Sequence, residues 1–173
     1  MGYSGEQSNV YQRRINLKNS RAKLKALLAV NFRDGAQLVT LTYREGTHIP
    51  SRDLAELQLT EWLRSVRRRT GQKLRYIRAT EREAADSYPV HRVVLAHSAP
   101  SAAVLAALWE CGPVTVKPVS EDGQEALAAL LMAPALHAGR VPVPCCRTWS
   151  PSKGLIRPEK EKTKDALPEP HGR

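Results

Sequence analysis

The sequence predicts an α+β protein built on one antiparallel sheet. Its 173 residues, 42% of them hydrophobic, suffice for one domain with a core. Between residues 37 and 119, segments with apolar residues at every second position alternate with segments of helical spacing, in the order β-α-β-β-α-β. This order is typical of a ferredoxin-like sheet with helices packed on one face. One further helix is predicted on each side of it along the chain.

The first three elements are predicted from apolar spacing and capping. Residues 15–32 carry leucines near helical spacing with basic residues on the other faces, which indicates an amphipathic helix. Residues 37–43 alternate apolar and polar side chains, as a half-buried strand does. Ser51 is a candidate N-cap for a second helix, which ends in three consecutive arginines.

The later elements are predicted from the same helical and strand periodicities of apolar residues. Strands are predicted over residues 73–80 and 90–97, a short apolar helix over 100–111, a strand over 114–119 and an alanine- and leucine-rich helix over 122–137. The predicted organisation is therefore a flexible N-terminus over 1–14, one domain over 15–158 and a disordered charged tail over 159–173.

Charge indicates the class of partner. The formal net charge is +10, and such an excess favours a densely anionic partner, most often nucleic acid. No apolar run reaches the ~18–20 residues that cross a bilayer, so no membrane partner is expected. The three cysteines, two of them adjacent, do not suggest a disulfide framework. We therefore expect a cytoplasmic protein.

Five short strings occur in an order that resembles a known family. They lie at residues 38–43 (LVTLTY), 75–81 (RYIRATE), 90–95 (VHRVVL), 108–112 (LWECG) and 149–158 (WSPSKGLIRP). Together they resemble the rolling-circle replication-associated proteins, the relaxase-like HUH family that includes filamentous-phage replication initiators. The resemblance implies a relaxase-like sheet in a protein of a phage, plasmid or integrated element. It also implies single-stranded or hairpin DNA as a partner, together with other replication proteins.

The resemblance further implies a nicking site, which this sequence matches only in part. Family members bind Mg²⁺ or Mn²⁺ through two histidines flanking a hydrophobic residue and through an acidic residue, and a tyrosine attacks the phosphate. Glu81 matches the acidic position and His91 supplies one histidine, so these two are the candidate metal ligands. Arg92 cannot bind a cation, because it is permanently protonated. Leu130 stands where the tyrosine is expected, so weak or no nicking is predicted, and a metal cofactor only if the site is active.

The nucleic-acid-binding residues are the part of the family pattern that remains. Basic residues are expected to contact phosphates and aromatic residues to stack on unpaired bases. Arg92, in the position of a metal ligand, is expected to neutralise a phosphate itself. The predicted set comprises Arg67, Arg68, Arg69, Arg75, Arg78, Arg92, Lys117 and Lys153 for phosphates, and Tyr43, Tyr76 and Trp149 for bases.

Several alternatives remain open at the level of the sequence. The chain is a metal-dependent nickase with an irregular site, in which Tyr88 is the only conceivable nucleophile, or it is an RNA- or partner-binding module of the same plan. His137 with Cys145 and Cys146 is a poor zinc pattern, since adjacent cysteines do not follow the usual ligand spacing. A covalent DNA adduct, salt-dependent DNA binding without an adduct, and preference for RNA distinguish the three main possibilities.

Overall fold

The computed structural model describes residues 4–33, 35–84, 86–96, 100–120, 122–137 and 148–158. Within them the chain forms four helices and five strands in the predicted order, with one short strand added at the end. The elements are α1 (Ser4–Asn31), β1 (Gln37–Leu41), α2 (Arg52–Thr70), β2 (Tyr76–Glu81), β3 (Val90–Leu95), α3 (Ala102–Ala107), β4 (Val114–Pro118), α4 (Gln124–His137) and β5 (Ser150–Pro151).

The strands form one antiparallel sheet in the order β4-β1-β3-β2-β5. The first four strands have the ferredoxin-like arrangement that the β-α-β-β-α-β order predicts, so the predicted α+β class is confirmed. At the centre of the sheet Val39 lies opposite Val93 on β3 and Val116 on β4. This register determines which side chains share each face.

Helices cover both faces of the sheet. Val93 and Leu95 of β3 pack with Trp62 of α2 and Leu105 of α3, on what we call the crossover face. Between them, Val94 points to the opposite side, the terminal-helix face, where α1 and α4 pack. The predicted packing on one face therefore holds for the two crossover helices, and the helices outside the β-α-β-β-α-β core cover the other face.

The structure departs from several predicted boundaries: β2 begins at Tyr76 and not at residue 73, and α3 ends at Ala107 and not at residue 111. Helix α1 begins at Ser4, inside the segment predicted as a flexible N-terminus, where polar residues give no apolar periodicity. Strand β1 ends at Leu41, although Thr42 and Arg44 still donate backbone hydrogen bonds to Pro113 and Cys111. Strand β5 was not predicted. Cys145, Cys146 and the tail over 159–173 lie outside the described residues.

None of the helices in the described residues combines the length and the apolar character that a membrane span requires.

Candidate nucleic-acid interface

A groove opens on the crossover face beside β2 and the edge strand β5. Its volume is about 570 Å³, and five of the side chains that line it are cations. None of the described residues that line it is acidic. Its lining consists of Thr60, Leu63, Arg64, Arg67, Lys73, Leu74, Tyr76, Arg78, Ser152, Lys153 and Gly154.

Helix α2 contributes two of the arginines because of where it begins and ends. The Ser51 hydroxyl caps its N-terminus by accepting a hydrogen bond from the Leu54 N–H, as predicted. Gly71 ends it in the left-handed conformation (φ 67°), with its N–H bonded to the Arg67 carbonyl. Positions three and four residues apart share a helix face, so Arg64 and Arg67 both reach the groove.

Arg68 and Arg69 are exposed at the same end of α2 but do not line the groove. The three consecutive arginines of the sequence therefore do not form one contact surface. Of these three arginines, Arg67 alone lines the groove, because successive residues of a helix point in different directions.

Strand β2 contributes Tyr76 and Arg78, which alternate onto the crossover face on either side of the buried Ile77. Tyr76 is half-buried and is the aromatic side chain among the lining residues. The Arg78 guanidinium lies 3.4 Å from a Glu56 carboxylate oxygen and also 3.4 Å from the Thr60 hydroxyl.

The turn after β5 forms the outer rim of the groove. Ser152 holds it against β2: its N–H donates to the Tyr76 carbonyl at 2.8 Å, and its hydroxyl accepts from the Tyr76 N–H at 2.9 Å. Gly154 adopts φ 87°, a left-handed conformation that favours glycine. The turn thereby brings Lys153 to the groove, where the sequence had predicted a phosphate contact but not its surroundings.

The cations of the groove are only partly neutralised. Arg64 pairs with Glu61 at 2.6 Å, and Arg78 pairs with Glu56. Among the described residues, no ion pair joins Arg67, Lys73 or Lys153 to an acid. The groove therefore presents an excess of positive charge next to a phenol ring.

The remaining predicted phosphate contacts lie elsewhere. Arg75 is exposed just before β2 and does not line the groove. Arg92 and Lys117 share the parity of Val94 and Leu38 and so belong to the terminal-helix face. The predicted track is thus divided between the two sides of the sheet.

The structure corrects the expectation that Tyr43 and Trp149 stack on bases. Both residues are 8% exposed. Tyr43 packs edge-on against Trp109 in the crossover core, and Trp149 lies in the terminal-helix core with its indole N–H bonded to the Ser20 hydroxyl. Their rings are used for packing, so Tyr76 is the candidate for stacking that lies at the groove.

His91 lies fully buried in a hydrogen-bonded network on the crossover face. Its Nε2 is 2.9 Å from the Tyr43 hydroxyl, and its Nδ1 is 2.7 Å from the Thr80 hydroxyl. The Tyr43 hydroxyl donates its hydrogen to Gln58, so the Tyr43 oxygen accepts from the Nε2–H of His91. The other ring nitrogen, Nδ1, then carries no hydrogen and accepts from the Thr80 hydroxyl. Burial, followed by the charges of Arg78 and Arg82, lowers the pKa of His91 from 6.5 to about 4.

Glu81 and His91 do not form one metal site. Glu81 shares the terminal-helix face with Ala79, whereas His91 shares the crossover face with Val93, because side chains alternate along a strand. Both His91 ring nitrogens have hydroxyl partners, and Glu81 is paired with Arg92. In the part of the chain that the structure describes, no three His, Cys, Asp or Glu side chains cluster as metal ligands do.

The two positions at which the sequence differs from the pattern of the family it resembles lie on the same side of the sheet. Arg92 and its partner Glu81 are largely buried there, with side chains 18% and 15% exposed. Leu130 is 39% exposed on α4, a helix of that side. On the opposite side, the Tyr88 hydroxyl donates to the Thr47 carbonyl, and its ring stacks with Tyr43.

The groove residues that sequence reasoning missed include Arg64, Lys73 and Ser152. The spacing of Thr60, Arg64 and Arg67 is helical and was a usable signal for Arg64. Lys73 lies between elements and carries no periodicity. Ser152 depends on β5, whose two residues are too short for an alternating pattern.

No family model, curated protein or solved structure matches this chain.

Proposed function

We propose that this protein binds single-stranded DNA, alone or as the unpaired part of a hairpin, in the groove between α2, β2 and the turn after β5. The observation that carries the proposal is the convergence of five cations and Tyr76 in one groove without an acidic lining residue. Grooves that hold single strands combine a basic track for the phosphates with aromatic side chains for the bases.

Each part of the groove has a distinct role in this proposal. Arg67, Lys73 and Lys153 contact phosphates, since no acid among the described residues competes for them. Tyr76 stacks on a base through the part of its ring that faces the groove. Such contacts read the backbone and the ring faces of bases, so we expect strong salt dependence and little sequence preference.

We further propose that the chain is a replication-associated binding protein that does not cleave DNA. The ion pair between Arg92 and Glu81 supports this, because it engages the acidic residue of the family pattern. The leucine at position 130 supports it too, since an alkyl side chain cannot attack a phosphate. The hydrogen bonds to both nitrogens of His91 leave no lone pair for a metal in this conformation.

Two gels test the function. On a native gel, labelled dT oligomer should shift at low salt and dissociate as KCl rises; absence of a shift at the lowest salt would refute the binding proposal. On a denaturing gel with Mn²⁺, no covalent band should form on single-stranded or hairpin DNA. An adduct lost with EDTA would instead identify a nickase, and tighter binding of an RNA of the same bases would identify an RNA-binding module.

A further inference from the structure

A second basic surface runs along α1, on the terminal-helix side of the sheet. From Ser4 to Asn31 the helix carries six Lys/Arg residues and one Glu. Arg14, Lys18, Arg21 and Lys25 follow one another at steps of four, three and four residues, which places them in one row along the helix. We call these four residues the α1 stripe. At a rise of 1.5 Å per residue, it extends over about 16 Å.

The stripe is accessible, and among the described residues its ion pairs involve one acid. Arg14, Lys18 and Arg21 are exposed, and Lys25 is half-buried. The ion pairs that the structure shows for the stripe both go to Glu125 of α4, which lies 2.7 Å from Arg21 and also contacts Lys25. Glu125 is itself exposed, with 60% of its side chain accessible.

We propose that the α1 stripe binds the phosphate backbone of duplex nucleic acid, as a contact separate from the groove. The positive charge of the stripe favours an anionic partner, and its linear arrangement favours a duplex. The stripe lies along one continuous helix and not in a concave track lined by a ring, so it suits a partner whose phosphates are already held in a regular row. The inference does not depend on the groove, which faces the other side of the sheet.

Glu125 has a definite part in this proposal. Its carboxylate occupies the two cations at the C-terminal end of the stripe, where a phosphate would otherwise bind. A phosphate must therefore displace it from Arg21 and Lys25. Removing the carboxylate should strengthen duplex binding, a gain that general damage to the fold would not produce.

The test uses the full chain and a short blunt DNA duplex, with affinity measured over a series of KCl concentrations. Arg14→Gln/Lys18→Gln should weaken duplex binding and lower the salt slope by about 2, since each duplex phosphate contact contributes about 0.9. The matched control is Arg13→Gln/Lys23→Gln, which removes the same charges from exposed positions of α1 outside the stripe. It should retain the slope of the wild-type protein.

Glu125→Gln gives the second, independent readout. Duplex affinity should rise several-fold while affinity for dT oligomer stays the same. Equal slopes for the stripe and control pairs, or a Glu125→Gln variant without any gain, would overturn the proposal. The groove is tested separately with the single strand, so failure at one surface is distinguishable from failure at the other.

Discussion

At the scale of single residues, His91 shows how a side chain typical of catalysis is used for structure. Its ring is fully buried, touches Tyr43 and Trp109, and bonds to a hydroxyl at each nitrogen. A buried polar group whose donors and acceptors are all hydrogen-bonded stabilises one arrangement of the core. The sequence showed a histidine on a central strand, but only the register shows that it faces Tyr43 and not Glu81.

His91 makes stability depend on pH. Its pKa is lowered from 6.5 to about 4 by burial, Arg78 and Arg82, so between these values the unfolded chain binds a proton that the folded protein does not. The free energy of unfolding should then fall as pH decreases from 6.5 toward 4, by up to about 3 kcal/mol from this group. Urea denaturation over that range measures the slope.

The prediction is judged by how steeply the free energy of unfolding changes with pH, and not by the absolute stability of a variant. His91→Gln should be less stable overall but should lose most of this pH dependence. His48→Gln, at an exposed position, should keep it. An unchanged slope in His91→Gln would show that other groups cause the acid sensitivity.

Tyr76 provides the residue-level prediction for binding. Tyr76→Leu should weaken single-strand binding by about 1–3 kcal/mol, because it removes the ring on which a base stacks. Tyr76→Phe should retain the affinity, since the ring remains. Fluorescence anisotropy with labelled dT oligomer measures both, and a loss in Tyr76→Phe equal to that in Tyr76→Leu would contradict the stacking role.

At the scale of elements, local sequence signals were sufficient to predict α2 but not to predict β5. Helix α2 has a cap, an apolar stripe and a terminating glycine within its own sequence, so its span was predictable. Strand β5 exists because Ser152 bonds to the edge of β2, a contact between residues 76 apart in sequence. The groove combines both elements, which is why the sequence predicted Arg67 and Lys153 separately but not their meeting.

The Ser51 cap tests the part of this account that concerns α2. Ser51→Ala removes the acceptor of the Leu54 N–H and should cost about 1 kcal/mol in the free energy of unfolding. Ser65→Ala, within the same helix, is the comparison, because that hydroxyl only bonds back to the Glu61 carbonyl. Equal losses in urea denaturation would show that the cap contributes nothing specific.

At the scale of the whole molecule, the last described segment links the two sides of the sheet. Trp149 packs in the terminal-helix core, Ser152 bonds to the edge of β2, and Ile156 exchanges two 2.8 Å hydrogen bonds with the Asn31 side chain at the end of α1. The segment therefore passes around the edge of the sheet. It places Lys153 at the groove while it is anchored to the helix that carries the α1 stripe.

The central claim is that the groove, and not the general positive charge, binds the single strand. The most direct measurement is the salt dependence of dT oligomer affinity for Arg64→Gln/Arg67→Gln and for Arg68→Gln/Arg69→Gln. Both pairs remove two arginines from one end of α2, but only the first pair lines the groove. We predict that the salt slope falls by at least about 0.7, the contribution of one single-strand phosphate contact, in the first pair and is retained in the second. Equal slopes in the two pairs would contradict the account.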